Sequence, residues 1–364
     1  MLITRKVETK QADEVAQAVI DALENMPISW VKTITFDNGS EFARHEDMAR
    51  ALPGSRLRPH VKAHKCTTLA RRQAALGHEG FCCATVREME GMAEAGLGKD
   101  LLLANEVIDP DRLALLAGLD ARVTVAIDSP ETLEAASKAG IEEVVIDVNV
   151  GLPRCGCPPE AAGGLADAAR RRGLGVRGVM GYEGHVVGLP DATKRQEGCA
   201  ASMALLAAAH RDVGGELVSA GGTGTYACND LATEIQAGSY ALMDTAYGEL
   251  DLGFEQAFWV LGSVISVSPG YTVLDCGLKA LGMDHGAPSI PAAQVWFCSD
   301  EHITYAPEQP RRVGDRVRVH PAHVDPTIAY HEAFQVIEGA ADGEPLDVGG
   351  APIVDRWSID LRGW

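Results

Sequence analysis

The sequence predicts a (β/α)8 barrel of the TIM type followed by a mostly antiparallel β domain. Two observations carry that prediction. From residue 56 onward, short apolar runs alternate with helical patterns until eight strand-and-helix units have passed. Beyond Gly253 the apolar runs lengthen and no helix separates them. At 364 residues the chain is long enough for a barrel with an appended domain. The expected division is an atypical N-terminal βαβα segment over 1–54, the barrel over 55–252 and the β domain over 253–364.

The barrel strands are expected at 58–62, 80–86, 100–105, 122–128, 142–149, 175–183, 216–222 and 234–242. Helical periodicity fills 67–77, 86–95, 110–117, 129–139, 159–172 and 194–212. The β domain is expected to use 258–268, 271–276, 292–298, 315–320 and 333–339. Ahead of the barrel lie a strand at 2–7, a helix at 12–26, a strand at 31–36 and a short helix ending near Leu52. There the run Thr33-Ile34-Thr35-Phe36-Asp37-Asn38-Gly39-Ser40-Glu41-Phe42 resembles the second catalytic-aspartate motif of insertion-sequence transposases with an integrase-like core. In that family an aspartate at the place of Asp37 binds a divalent metal with two further acidic residues. The matching acidic positions are not recognisable here, so the segment reads as a fragment without nuclease chemistry.

Composition narrows the partners. A formal net charge of −19 opposes a nucleic-acid or anionic-membrane surface, which needs a basic footprint. Hydrophobic residues make up 46% and charged residues 23%, ordinary values for a soluble globular chain. No apolar run is long enough to span a bilayer and no signal peptide is evident, so a cytoplasmic location is expected. Nine scattered cysteines, an odd number without zinc-site spacing, are expected to be reduced thiols.

The chemistry is expected at the carboxyl ends of the barrel strands. In Arg58-Pro59-His60-Val61-Lys62-Ala63-His64-Lys65, strand alternation would put His60, Lys62 and His64 on one face, with Lys62 aimed inward. Burial among cationic neighbours would lower the Lys62 pKa toward a nucleophilic amine suited to Schiff-base chemistry. Thr85 and Asn105 end the second and third strands. Arg154 follows the Gly151-Leu152-Pro153 turn and could hold an anionic oxygen. Tyr182 and His185 follow the sixth strand, and Gly221-Gly222-Thr223-Gly224-Thr225-Tyr226 after the seventh is a plausible phosphate cradle. In the β domain, His323 and Asp325 would share one face of an extended segment ahead of Pro326, as two ligands of an open divalent-metal site.

In combination these motifs resemble the D-threonine aldolase and metal-dependent D-serine dehydratase family, which has the alanine-racemase-like fold of pyridoxal-phosphate enzymes. The motifs are Arg-Pro-His-Val-Lys-x-His-Lys at 58–65, Gly-x-x-Arg-Cys-Gly at 151–156 and Gly-Tyr-Glu-Gly-His at 181–185. With them stand Gly-Gly-Thr-Gly-Thr-Tyr at 221–226, Gln-Ala-Gly-Ser-Tyr at 236–240 and His-Val-Asp-Pro-Thr at 323–327. The resemblance implies that Lys62 forms the Schiff base with pyridoxal 5'-phosphate. It places Arg154 near the cofactor's phenolic oxygen, Tyr182 beside its ring, and Gly222, Thr223 and Gly224 around its phosphate. His323 and Asp325 would hold a divalent metal (manganese, magnesium, cobalt or zinc), with His323 counted among the catalytic residues.

The dehydratases tend to carry cysteine where Asp325 stands, so Asp325 points to an aldolase. The implied activity is retro-aldol cleavage of a D-3-hydroxy amino acid of the D-threonine type to glycine and an aldehyde, in a homodimer. The alternatives are dehydration or cleavage of D-serine or 3-hydroxy-D-aspartate by the same cofactor, and an inactive cofactor-binding chimera. The foreign segment displaces the strand and helix with which family members begin. An edge of the β domain is therefore expected to be unpaired or filled by residues 2–7.

Overall fold

The computed structural model describes residues 34–37, 43–337 and 353–363. The expected strand at 2–7 and helix at 12–26 lie outside them. A seven-stranded, all-parallel sheet runs in chain order through β2 (Gly80–Cys83), β3 (Asp100–Leu103), β4 (Val123–Ile127), β5 (Glu143–Asp147), β6 (Gly175–Gly181), β7 (Leu217–Ala220) and β8 (Glu234–Ile235). The eighth stave is not a regular strand. Leu57 bridges Ile235 and His60 bridges Cys82, so 57–60 spans the gap between β8 and β2 and completes the barrel. Pro59, which has no N–H, contributes only its carbonyl, accepting from Cys82 N at 2.9 Å. The expected strand at 58–62 then gives way to a 3-10 turn, Val61–Ala63. The eighth expected strand is likewise short, and its tail forms the turn Ser239–Ala241.

The connecting helices start where the sequence supplies side-chain caps. Asp109 accepts from Asp111 N and Arg112 N ahead of the helix Pro110–Ala117. Ser129 and Thr132 close a capping box on Pro130–Ala139, and Gly140 ends it in the left-handed region at φ 83°. Alternation along β5 assigns the two faces of the barrel wall. Val144 and Ile146 pack outward into the main core, whereas Val145 joins Leu102, Ala126 and Met180 in a separate interior cluster. Asp147, next in register with Val145, continues the inward row toward the carboxyl end.

At the opposite end of the barrel an ion network replaces apolar filling. Arg58 donates to Glu234 at 2.8 Å and to Asp100 at 2.9 Å, and Arg177 donates to Asp100 at 2.7 Å and Glu216 at 2.9 Å. Both Arg58 and Glu234 keep only 4% of their side chains exposed.

The second sheet is mixed, with β1 (Ile34–Asp37) in its interior. Its order is β11 (Ala293–Cys298), β12 (Ile303–Pro307), β10 (Tyr271–Leu274), β9 (Phe258–Ser268), β1, β14 (Ala333–Ile337) and β15 (Ile353–Ser358), while β13 (Arg316–Val319) pairs β9. β1 lies antiparallel to β9 and parallel to β14. The expectation for residues 2–7 lies outside the described residues. Residues 34–37 of the transposase-like stretch enter the sheet, and Asp37 sits in register with Ile337.

Candidate active site

The carboxyl ends of the barrel strands open into a cavity of about 340 Å³. Lys62, Arg154, Tyr182 and Gly222 line it, together with His60, Glu106, Asp147 and Tyr247. The 3-10 turn breaks the expected alternation. His60 and Lys62 reach the cavity, but His64 turns into the core, where its Nδ1 accepts from Cys66 N at 3.2 Å. Its Nε2–H donates to Gln73 Oε1 at 3.2 Å, and Gln73 Nε2 donates in turn to Tyr240 at 2.9 Å.

Lys62 keeps 43% of its side chain exposed and donates to the Asp325 carboxylate. Burial works against the ammonium charge, but Asp325 outweighs it and leaves the Lys62 pKa raised. The expected lowering is therefore corrected: cationic neighbours do not dominate here, because a carboxylate from the other domain stands against the amine. Asp325 mirrors this, since burial pushes its carboxyl up and Lys62 brings it below its ordinary value. His60, buried beside Lys62, is held far below the usual imidazole range and is uncharged.

His323 and Asp325 do not lie on an extended segment. His323 is the N-cap residue of the helix Val324–Tyr330 and Asp325 sits in its first turn, and the two side chains find different partners. Asp325 reaches Lys62, whereas His323 Nδ1 lies 2.8 Å from Asp284 Oδ2. Asp325 Oδ1 is buried and has no hydrogen-bond partner, as a carboxylate oxygen reserved for a cation would be. An imidazole and a free carboxylate oxygen suit a divalent ion.

The glycine-rich turn divides its labour. Glu183, fully buried, accepts from Gly221 N at 3.2 Å and from the Thr225 hydroxyl at 2.7 Å, which fixes the loop. Gly221 adopts φ 82°, and Gly222 leaves open space that a Cβ would fill 3.5 Å from the Tyr182 ring. This side-chain-free wall beside an open lysine fits a flat phosphorylated cofactor. Gly224 has a different reason to be glycine, because a Cβ there would stand 1.9 Å from the Val187 carbonyl oxygen. Thr223 is buried, and its hydroxyl accepts from Tyr240 N at 3.0 Å.

The Arg154 guanidinium lies 5.4 Å over the Tyr182 ring. His185 packs against Gly151, at the turn that delivers Arg154. Thr85 caps the helix Val86–Glu94, and Asn105 lines the cavity. Sequence reasoning missed the carboxyl pair Glu106 and Asp147. Burial, and then the charge of Glu106 beside it, push the Asp147 pKa far above the ordinary carboxylate range. The signal was available, since Asp147 ends an apolar strand on the same face as Val145.

Comparison with known proteins bears on the fold and the family. The profile of the alanine racemase N-terminal domain matches residues 43–246, and that of a serine dehydratase domain matches 257–337. D-threonine aldolase of Arthrobacter sp. is 36% identical over 337 residues, covering 85% of this chain and 86% of that protein. 3-hydroxy-D-aspartate aldolase of Paracoccus denitrificans is 35% identical over 350 residues, covering 87% of each. The structure of D-threonine aldolase from Filomicrobium marinum superposes with a TM-score of 0.82 at 33% identity, covering 92% of this chain and 95% of that one. The chain is a lyase belonging to the family of D-threonine aldolases and 3-hydroxy-D-aspartate aldolases, built on an alanine-racemase-like barrel.

Proposed function

We propose that the protein cleaves D-3-hydroxy amino acids of the D-threonine type to glycine and an aldehyde, with pyridoxal phosphate at Lys62 and a divalent metal at His323 and Asp325. The observation that carries this reading is the Lys62 amine, open to the cavity and set against an Asp325 carboxylate whose second oxygen is unpartnered. Bound there, the cofactor would supply an electron sink and the ion would polarise the substrate's β-hydroxyl. Gly221 and Gly222 leave room for the phosphate, Tyr182 flanks the ring, and Arg154 offers a guanidinium to an anionic oxygen. Because Asp325 pairs with Lys62, an ion held there would lie at the Lys62 end of the cavity. His60, held uncharged beside Lys62, is available to take the β-hydroxyl proton.

Glu106 in the lining supports a neutral β-substituent over a second carboxylate, because like charges repel. Glu106 and Asp147 line the cavity with the Arg154 guanidinium, and Asp325 pairs with Lys62, which also lines it. A 3-hydroxy-D-aspartate activity is the second reading, favoured by Arg154 as a partner for that extra carboxylate. The test is to incubate purified protein with pyridoxal phosphate, manganese and D-threonine, and to assay acetaldehyde, glycine and ammonia. Metal-dependent acetaldehyde and glycine are expected. Ammonia with a keto acid would identify a dehydratase instead, and cleavage confined to 3-hydroxy-D-aspartate would select the second reading.

A further inference from the structure

His323 is held from outside by a segment of the β domain that the sequence motifs do not include. Gly282 forms an antiparallel bridge with His323, and Gly282 N donates to Thr327 Oγ1 at 2.9 Å. Thr327 in turn donates to the His323 carbonyl at 2.7 Å. The approach is tight, since a Cβ on Gly282 would stand 2.2 Å from Pro326. This docking carries Asp284 and His285 to the His323 ring. Asp284 Oδ2 lies 2.8 Å from Nδ1, and the His285 ring stacks on His323 at 3.8 Å with planes 7° apart. The ligand atoms of all three residues lie within 4.8 Å of one another.

We infer that Asp284 is the positioning residue of the metal centre: it accepts a hydrogen bond from Nδ1–H of His323 and so leaves Nε2 as the atom that binds the ion. This rests on the reading that His323 and Asp325 hold a divalent metal. The physical reason is general. A carboxylate on one ring nitrogen fixes the tautomer, orients the ring and strengthens the other nitrogen as a ligand. His285 restricts the remaining freedom, rotation of the ring plane.

The test is manganese binding, read as free Mn²⁺ by electron paramagnetic resonance, on protein loaded with pyridoxal phosphate. Its variants are D284A, D284N, H323A and D325N. Asp284 is 57% exposed, so its variants should fold, and unchanged cofactor absorbance at Lys62 checks this. D284A should weaken manganese binding about 10- to 100-fold. D284N, whose amide oxygen still accepts from Nδ1–H, should recover most of that loss. Unaltered affinity in D284A overturns the inference. Equal large losses in D284A and D284N also overturn it, because Asp284 would then be a direct ligand. Full manganese affinity in both H323A and D325N, or no binding by the wild type, overturns the metal reading and this inference with it.

Discussion

Acid should destabilise this protein through His64, and the size of the effect follows from its surroundings. The ring is fully buried, its Nδ1 already accepts from Cys66 N, and its Nε2–H donates to Gln73. A second ring proton would have to displace the Cys66 N–H. Burial accordingly lowers the His64 pKa from 6.5 to about 4, against the opposing effect of the Gln73 hydrogen bond. Above pH 6.5 neither the folded nor the unfolded state carries the proton. Between 6.5 and 4 the unfolded chain binds it and the folded chain does not, so stability falls as pH falls; below 4 the contribution is flat. The shift corresponds to about 3 kcal/mol at about 1.4 kcal/mol per pH unit.

The perturbation is His64→Gln, compared with the wild type by urea unfolding at several pH values from 8 to 4. At pH 8 the variant should be less stable by about 1–3 kcal/mol, because the Cys66 N–H and Gln73 lose their imidazole. The other ten histidines are common to both proteins and cancel in the difference. By pH 4 the gap should close or reverse. A difference that stays constant from pH 8 to pH 4 would refute the assignment of His64 as a neutral buried ring.

Four further outcomes are expected. Lys62→Ala should abolish the visible absorbance of lysine-bound pyridoxal phosphate and all turnover, whereas a variant retaining both would remove Lys62 from the site. Arg58→Ala leaves Glu234 buried without its partner and should lower unfolding free energy by about 3–5 kcal/mol, measured in urea; a loss under about 1 kcal/mol would show that water reaches the network. Gly224→Ala should destabilise the fold by about 1–3 kcal/mol through the Val187 carbonyl. Gly222→Ala should instead keep its thermal midpoint and weaken cofactor binding, so equal melting losses in the two variants would contradict the division of roles in that turn.

The barrel was legible because its strands are apolar runs spaced by capped helices, and the cues at Asp109, Ser129 and Gly140 act locally. Register and pairing across the chain were not. Arg58 to Lys62 reads as a strand by alternation, yet Pro59 and the 3-10 turn send His64 inward instead of into the cavity. The individual site residues were visible as motifs, but their electrostatics depend on which charges meet. Asp325 faces Lys62 only because the second sheet docks on the barrel mouth, and no spacing rule encodes that encounter. Asp284 escaped notice for the same reason, since its partner lies far along the chain.

The place of β1 has a consequence for how the molecule is made. The ribosome releases Ile34–Asp37 long before Phe258–Ser268 and Ala333–Ile337, the two strands between which it is finally held. The barrel can therefore close while this early segment still waits for its neighbours. Residues 253–364 produced alone would lack a middle strand and present two raw edges to solvent. Deleting everything before residue 43 should spare the barrel's own hydrogen bonds and still yield an aggregating protein. Such a pairing of distant segments also raises contact order, so completion of the second sheet should be the slow step of maturation.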